Sequence, residues 1–283
     1  MRKTTIFLTV ILLTSTAAAQ SLTGLFSNNQ HSGEAALIDL SGAITPSAAG
    51  FSSGITPEQV RDLNQRAEQQ NVDAIIYEIN SGGGAVVASK EIKRSIESLD
   101  TPTICRIRDV GASGAYLFSL GCDRIVADSA SITGSVGVSS SYLEFSDLLE
   151  KAGINYVNIT AGERKQLSNP YEQPTEEEKQ ILQEKAETID GEFINEVDES
   201  RNLTQNQRET VGTGEIFLGS EAIQLNLIDQ TGGRETAVEE AENMTGKQLS
   251  TVKVSKQSEV SLLSLFFSDL RIGSGESPLK AVL

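Results

Sequence analysis

The sequence predicts an α/β fold built on a parallel sheet, and three observations support this prediction. The run DAIIYEIN (73–80) is apolar almost throughout, as in strands that are buried on both faces of a parallel sheet. Helical patterns with capping signals follow such strands after short connections. The order of strand then helix repeats, which implies right-handed βα units with parallel strands. With 283 residues, 38% of them hydrophobic, the chain can bury the core that this sheet requires.

The first half of the chain predicts four strands, with a helix after each of the first three. Thr56 and Pro57 signal a helix start, with Gln59 at the capping-box position and an end near Gln70. The strands are predicted at EAALIDLSGAI (34–44), DAIIYEIN (73–80), TICRIR (103–108) and DRIVAD (123–128), and further helices at 88–99 and directly after Ser113.

The second half of the chain predicts a longer helix and several shorter elements. Thr175 and Glu178 form a capping box that starts a helix running to about Arg201. Before it, a helix is predicted at 141–153, a strand at NYVNIT (155–160) and a loop at 161–174. After it, the predictions are EIF (215–217), helix SEAIQLN (220–226), LIDQTGG (227–233), helix ETAVEEAEN (235–243) and strand STVKV (250–254).

The N-terminal sequence predicts an export segment. Arg2 and Lys3 precede an apolar run, and small residues that suit signal cleavage follow it. The uncharged stretch is also long enough to cross a bilayer, so a cleaved signal and a retained anchor both remain open. Either way, the folded part is expected on the extracytoplasmic side of the cell membrane.

The chain divides into four predicted segments. These are a signal peptide or membrane anchor at 1–26, a polar linker at 27–33, a single folded domain at 34–255 and an amphipathic tail at 256–283. The tail is interpreted as a docked terminal helix, with membrane contact as the alternative.

Composition excludes several classes of function. The formal net charge of −16 argues against nucleic acid as a partner. Cys105 and Cys122 form no C-x-x-C motif, and with one histidine in the chain we expect no metal site and no cofactor. The two cysteines are expected to be buried free thiols in strands, with a disulfide as the less favoured alternative.

Ser113 is a candidate nucleophile. It lies in GASGAY at a predicted strand-to-helix turn, where small neighbours and free backbone N–H groups suit an oxyanion site. The single histidine, His31, lies in the polar linker, so a Ser-His-Asp triad is not expected. Either Ser113 is structural or its base is a lysine.

Two further stretches fit that chemistry. Gly83 and Gly84 follow a strand, so their backbone amides can face a ligand oxygen with no side chain in between, and the amide of Gly114 adjoins Ser113. Lys165 lies in the loop GERKQLSNP. An amine is a general base only when neutral, which requires desolvation or nearby positive charge. Most loop lysines are solvated, so the residues alone leave a structural interpretation of Lys165 open.

An ordered set of motifs resembles the signal peptide peptidase A family of serine proteases. The matching stretches are NSGGG (80–84), ASGAY (112–116), TGSVGV (133–138), GERK (162–165), NP (169–170) and TEEE (175–178). Gly82 and Ala115 depart from the family pattern, which has proline and glycine there. GEIFLGSEAIQLNLIDQTGG (214–233) also resembles the closing segment of the family.

The resemblance implies a role for each site residue. Ser113 would be the nucleophile, Lys165 the general base and Ser135 a hydroxyl that orients the lysine amine. The oxyanion site would combine the amide of Gly114 with that of Gly83 or Gly84. No cofactor or metal is implied.

The resemblance also implies a fold, an activity and an assembly. The fold would be a Clp/crotonase-like spiral of repeated β-β-α units with a parallel sheet core. The protein would be a membrane-associated endopeptidase that cleaves hydrophobic peptides, such as remnant signal peptides or misfolded membrane or exported proteins. Because this chain has one copy of the domain, the serine and lysine would come from one subunit or from neighbours in a homo-oligomeric ring.

Other functions are compatible with parts of the sequence. One is a Clp-class membrane protease with other substrates, and another is a catalytically inactive peptide-binding scaffold of the same fold. A crotonase-type acyl-CoA enzyme would use the glycine amides but has no need of Lys165.

Overall fold

The structure is a computed structural model that describes residues 32–47 and 54–255. The predicted export segment, His31 and the predicted tail at 256–283 lie outside the described residues. The division into a linker, one domain and a tail therefore stays a prediction.

Within the described residues, eight strands form one sheet. They are β1 (Ser32–Ser41), β2 (Ala74–Ser81), β3 (Thr103–Ala112), β4 (Arg124–Ala127), β5 (Ile132–Gly134), β6 (Ile216–Leu218), β7 (Gln230–Thr231) and β8 (Gln248–Val254). The main order is β6-β5-β3-β2-β1-β8, while β4 pairs with β3 and β7. These pairs are parallel except for β5 with β6, so the predicted parallel core is confirmed.

The helices of the described residues lie between these strands. They are α1 (Pro57–Gln69), α2 (Val86–Glu97), α3 (Gly114–Ser119), α4 (Ser146–Lys151), α5 (Glu176–Arg201), α6 (Gln205–Val211), α7 (Gly219–Ala222) and α8 (Arg234–Thr245). Capping fixes several helix starts. The Thr56 side chain accepts a hydrogen bond from Gln59 N–H at α1, and Thr175 with Glu178 forms the predicted capping box at α5.

The two faces of the sheet are covered unequally. One face carries a large apolar cluster to which α1, α2, α3 and the second half of α5 contribute. The other carries a smaller cluster, in which Ala237 and Ala241 of α8 pack on strand residues such as Ile76 and Ile104. Because β2 is buried on both faces, it tolerates a nearly continuous apolar sequence.

Strand β3 connects this core to the candidate site because its two halves have different neighbours. Residues 104–107 pair with β4, whereas residues 110–112 pair with β5. The sheet therefore divides along β3, and the end of β3 lies between β2 and β5. Ser113 is the next residue after β3.

Several predicted elements differ from the structure. The helix predicted at 141–153 is limited to α4, and NYVNIT (155–160) is not a strand. The shortness of β5 and α6 explains why the sequence pattern missed them. The segment NYVNIT is exposed, so its alternating apolar residues have no sheet within the described chain on which to pack.

The cysteine prediction was wrong. Cys105 and Cys122 form a disulfide with a Cα–Cα distance of 5.7 Å. Cys105 is buried in β3, but Cys122 lies in the turn after α3 and not in a strand. The chain reversal between β3 and β4 brings the two residues together, which the spacing alone did not reveal.

Candidate active site

Ser113 lies at the sharp turn between β3 and α3. Its φ of 54° and ψ of −124° are uncommon for a residue with a side chain. The Ser113 N–H donates to Gly134 O at 2.9 Å, and Ser113 O accepts from Leu117 N at 2.9 Å. One bond ties the turn to the end of β5 and the other ties it to α3. Ser113 is half-buried and lines a cleft.

The glycine loop after β2 packs directly against this turn. A Cβ built on Gly83 would lie 2.8 Å from Gly114 N, and one built on Gly114 would lie 3.3 Å from Gly84 N. The Gly83 N–H already donates to Ser81 Oγ at 3.2 Å. Glycine is therefore required where the two backbones meet. Because the Gly83 N–H is already used, Gly84 and Gly114 are better candidates than Gly83 for the oxyanion site.

Ser135 also lines this cleft. It follows β5 with a φ of 51°, and its N–H donates to Glu215 O at 2.8 Å. Since Gly134 accepts the Ser113 N–H, Ser135 is one residue away from a direct backbone partner of the candidate nucleophile.

The cleft has a volume of about 580 Å³, and α5 supplies one of its walls. Gln183, Glu187 and Asp190 of α5 line it, together with Thr213 and Gly214. Sequence reasoning missed these residues. Their spacing places the three α5 side chains on one helix face, but a polar helix face is ordinarily interpreted as a face that is exposed to solvent.

A small apolar recess opens next to Ser113. Its apolar lining comes from α2, α3, α5 and the segment after β5, namely Val86, Leu117, Val138, Ile189 and Phe193. Lys90 also lines it, and its amine is paired with Glu192 at 2.7 Å and Glu196 at 3.1 Å. The hydrogen bond to Glu192 raises the pKa of Lys90, so this lysine is a protonated structural group.

Lys165 is not placed beside Ser113 in the single chain. It is exposed in a turn closed by a hydrogen bond from Lys165 N to Gly162 O at 3.2 Å, and it is not among the residues that line the cleft. Neighbouring Arg164 pairs with Glu177 at 2.8 Å on the exposed surface. The structure therefore brings together Ser113, Ser135, Gly83, Gly84 and Gly114, and it leaves Lys165 apart from them.

Lys165 lies in a projecting segment, residues 139–174, here called the arm. Nine of the fourteen large apolar side chains that are exposed in the described residues lie in the arm. The nine are Tyr142, Leu143, Phe145, Leu148, Ile154, Tyr156, Val157, Ile159 and Tyr171. Such a concentration of exposed apolar surface is typical of an interaction surface.

The arm is organised by its own contacts. Phe145 N donates to Pro170 O, and the rings of Tyr156 and Tyr171 lie 5.3 Å apart. Gln173 donates to Asp147 at 2.9 Å. In the described chain, the hydrogen bonds of the arm stay within it or reach the first turn of α5, as in the Arg164 pair. The arm is thus held in shape without packing on the core of its own subunit.

Two features are absent from residues 32–47 and 54–255. No helix there combines the length and the apolar content needed to cross a bilayer. No cluster of three or more His, Cys, Asp or Glu side chains suited to a metal ion occurs there either.

Comparison with solved structures supports the fold assignment. A membrane-bound stomatin-specific protease, solved as a lysine-to-alanine mutant in complex with a substrate peptide, aligns with a TM-score of 0.53. The alignment covers 84% of this chain and 99% of that chain, at 15% sequence identity. The predicted Clp/crotonase-like α/β fold is confirmed.

Comparison with known sequences places the chain in a family. The model described as "Peptidase family S49" matches residues 97–249, more than half of the chain, including Ser113, Ser135 and Lys165. A protein of Enterococcus faecium named "Putative signal peptide peptidase SppA" is 34% identical over 180 residues, which are 62% of this chain and 52% of that protein. Protease 4 of Haemophilus influenzae is 30% identical over 231 residues, 78% of this chain and 37% of its own length. The chain thus spans about half or less of these relatives, and it belongs to peptidase family S49, a family of serine proteases.

Proposed function

We propose that this protein is a serine endopeptidase whose nucleophile, Ser113, and general base, Lys165, meet at the contact between two subunits. The observation that carries the proposal is the division of the site. Ser113 lies in a preformed cleft with glycine amides, while Lys165 lies on an exposed apolar arm. Docking of the arm on a neighbouring cleft would bury apolar surface and complete the dyad in one step.

The proposed chemistry follows from these groups. The neutral Lys165 amine takes the proton of Ser113 Oγ while that oxygen attacks the peptide carbonyl carbon. The amides of Gly114 and Gly84 stabilise the negative charge on the carbonyl oxygen. The lysine then passes its proton to the leaving amine, and an acyl-enzyme remains. Water attacks the ester by the same route in reverse and releases the second product.

Assembly would also provide the environment that the base needs. An amine on an exposed arm is surrounded by water, which favours its charged form. Packing of the apolar arm residues against a second subunit would remove that water and favour the neutral amine. Ser135, on the cleft wall, would then orient the amine by a hydrogen bond.

The substrate class is proposed from the recess beside Ser113. Its volume is only about 20 Å³, so its lining of valine, leucine, isoleucine and phenylalanine suits a small apolar side chain, such as that of alanine, next to the cleaved bond. We therefore favour hydrophobic peptides, including remnant signal peptides and misfolded membrane or exported proteins. The predicted membrane segment at 1–26 would hold the enzyme near such substrates, on the extracytoplasmic side.

The decisive test mixes two inactive variants of the full chain in detergent. Ser113→Ala keeps Lys165, and Lys165→Ala keeps Ser113, so each variant alone should lose casein hydrolysis by a factor of about 10³ or more. If the dyad forms between subunits, mixed assemblies regain part of the activity. A mixture that stays as inactive as its components contradicts assembly of the dyad between subunits.

Two controls separate this proposal from its alternatives. A serine-directed phosphonate should label the wild type at Ser113, whereas an inactive scaffold would not be labelled. In Ser135→Ala, kcat/KM should fall about 10- to 100-fold without disappearing, by analogy with residues that orient metal ligands. The wild-type kcat/KM should rise with pH between 5 and 11, and a flat profile would argue against a lysine base.

A further inference from the structure

The disulfide encloses the candidate nucleophile almost symmetrically. Ser113 is eight residues after Cys105 and nine residues before Cys122. The closed ring therefore contains the end of β3, the turn at Ser113 and the whole of α3. The disulfide therefore closes the segment that holds Ser113, here called the β3-turn-α3 unit.

Cys122 is coupled to Ser113 through a very short helix. Its N–H donates to Ser119 O at 3.0 Å, so it is attached to the last turn of α3. Since α3 has six residues, it is only about 9 Å long. A shift at Cys122 would therefore reach the first residue of α3, Gly114, whose amide is a proposed oxyanion donor.

The turn at Ser113 needs such support. A serine with a φ of 54° keeps that conformation only where the surrounding structure imposes it. Besides the disulfide, α3 is held by the Tyr116 hydroxyl, which donates to Leu227 O at 2.8 Å within the core. The disulfide is the covalent part of this support.

The two cysteine residues differ in accessibility. Cys105 is fully buried, whereas Cys122 is half-buried and lines a surface cavity of about 260 Å³. Arg124 and Arg201 line the same cavity together with Asp123 and Asp229, so their charges balance, and the exposure of Cys122 decides which cysteine a thiolate reaches. Arg201 is itself fixed by Asp229 at 3.1 Å and 3.2 Å. Thiol exchange should therefore begin at Cys122.

Non-covalent contacts would keep the unit folded after reduction. Asp123, next to Cys122, accepts hydrogen bonds from the N–H and the Oγ1 of Thr103 at 2.8 Å and 2.9 Å. These bonds close the same end of the β3-turn-α3 unit. Loss of the disulfide would thus loosen the unit without removing it from the fold.

We propose that this disulfide is a redox-sensitive brace on the nucleophile, opened at Cys122 by a dithiol reductant. The reductant thiolate attacks Cys122 Sγ, the S–S bond breaks, and its electron pair leaves with Cys105, which takes up a proton. The second thiol of the reductant then attacks the mixed disulfide and releases Cys122. The dithiol is oxidised by two electrons and the protein disulfide is reduced by two. The effect on peptidase activity rests on the function proposed above.

The test compares oxidised and dithiothreitol-reduced full chain. Thiol titration should give no free thiol before reduction and two after it. The thermal midpoint should fall by about 5 to 10 °C on reduction. Well below that midpoint, the rate of phosphonate labelling at Ser113 should fall at least about tenfold and recover on reoxidation. An equal labelling rate in the two states would overturn the proposal.

Two variants make the comparison specific. Cys105→Ala/Cys122→Ala should label at the rate of the reduced protein, with or without dithiothreitol. Leu63→Ala, a buried change in α1 outside the ring, should lower the thermal midpoint comparably but leave labelling unchanged. If Leu63→Ala slows labelling as much as reduction does, the effect is general destabilisation and the brace is refuted.

The site of exchange is tested with glutathione as the monothiol. Peptide mapping after brief treatment should find the glutathione adduct on Cys122 and the free thiol on Cys105, and the reverse assignment would contradict the proposed entry point. The thiol count, the adduct position and the thermal shift do not depend on activity. Failure of the peptidase function would appear separately, as an oxidised protein that neither labels nor cleaves casein.

Discussion

The half of the chain that carries Ser113 and the arm that carries Lys165 are stabilised in different ways. Around Ser113, two backbones meet so closely that only glycine fits, and the following helix α3 is buried along its whole length. In the arm, Val157 and Ile159 are 77% and 95% exposed. The first region is complete within one subunit, whereas the second presents surface that a second molecule would cover. In the proposed function, this difference means that the nucleophile is preformed within one subunit while the base depends on assembly.

Helix α5 joins the two regions and shows the same difference along its length. Its first half is largely exposed, while Phe193, Ile194 and Val197 of its second half are buried in the core. A helix of 26 residues is about 39 Å long, which exceeds what the core of this subunit covers. The helix therefore carries the arm outward from the body.

Among changes outside the candidate dyad, the largest expected effect comes from placing charge on the arm. The double variant Val157→Asp/Ile159→Asp should reduce casein hydrolysis by about 100-fold or more, because buried carboxylates would oppose docking of the arm. The subunit itself should stay folded, since both side chains are exposed. Light scattering after gel filtration measures the assembly, and circular dichroism measures the fold.

The control for this variant is Met244→Asp in α8. Met244 is also exposed, at 37%, but it lies outside the arm. It should leave assembly and activity unchanged. If the arm variant is active and fully assembled, the proposed docking of the arm on a second subunit is contradicted.

A glycine exchange tests the preformed region. In Gly84→Ala, the new Cβ would lie 2.2 Å from Ile44 O, a backbone atom that cannot move aside cheaply. We expect the free energy of unfolding to fall by about 1 to 3 kcal/mol and phosphonate labelling of Ser113 to slow. Urea unfolding and the labelling rate provide the two measurements.

The matched control is Gly191→Ala in α5. A Cβ on Gly191 would meet nothing within 4 Å, so this change should raise the free energy of unfolding by about 0.5 to 1 kcal/mol. Equal changes in the free energy of unfolding for the two exchanges would contradict the close packing of Gly84 against Ile44.

The smallest effect is expected far from both regions, at Asp73. Its carboxylate accepts hydrogen bonds from Lys247 and from Glu34 N, and these lower the pKa of Asp73 below its usual 3.8. Asp73→Asn should therefore cost about 1 kcal/mol at pH 7. The lowered pKa means that this stabilisation is present above pH 3.8 and is lost as the pH falls through the lowered value. Unfolding by urea at pH 7 and at pH 2 should show a smaller difference between the variant and the wild type at pH 2 than at pH 7.

Local signals in the sequence predicted much of the fold. The capping residues Thr56 and Thr175 marked helix starts correctly, and the apolar run at 73–80 gave the central strand β2. These predictions succeed because caps and buried strands depend on neighbours close in sequence or on uniform burial. NYVNIT failed because its alternation reflects an exposed apolar face without a paired strand.

The candidate site was predicted in part. The residues and the motif resemblance pointed to Ser113, the glycines and Ser135, and the structure gathers these around one cleft. The α5 wall with Glu187 and Asp190 was missed, because a polar face on a helix does not reveal which other element it meets. The roles of Ser113, Lys165 and Ser135 stay predictions until the variants are measured.

The sequence by itself determined the order of strand then helix, which implied the parallel α/β architecture, and the strand-to-helix turn at Ser113, because these are patterns of residues that are neighbours in the chain. Only the tertiary structure decided the Cys105–Cys122 pairing and the exposed position of Lys165 outside the cleft at Ser113. Both depend on how distant segments pack. The chain reversal at α3 brings the two cysteines together, and the length of α5 carries the arm beyond the core.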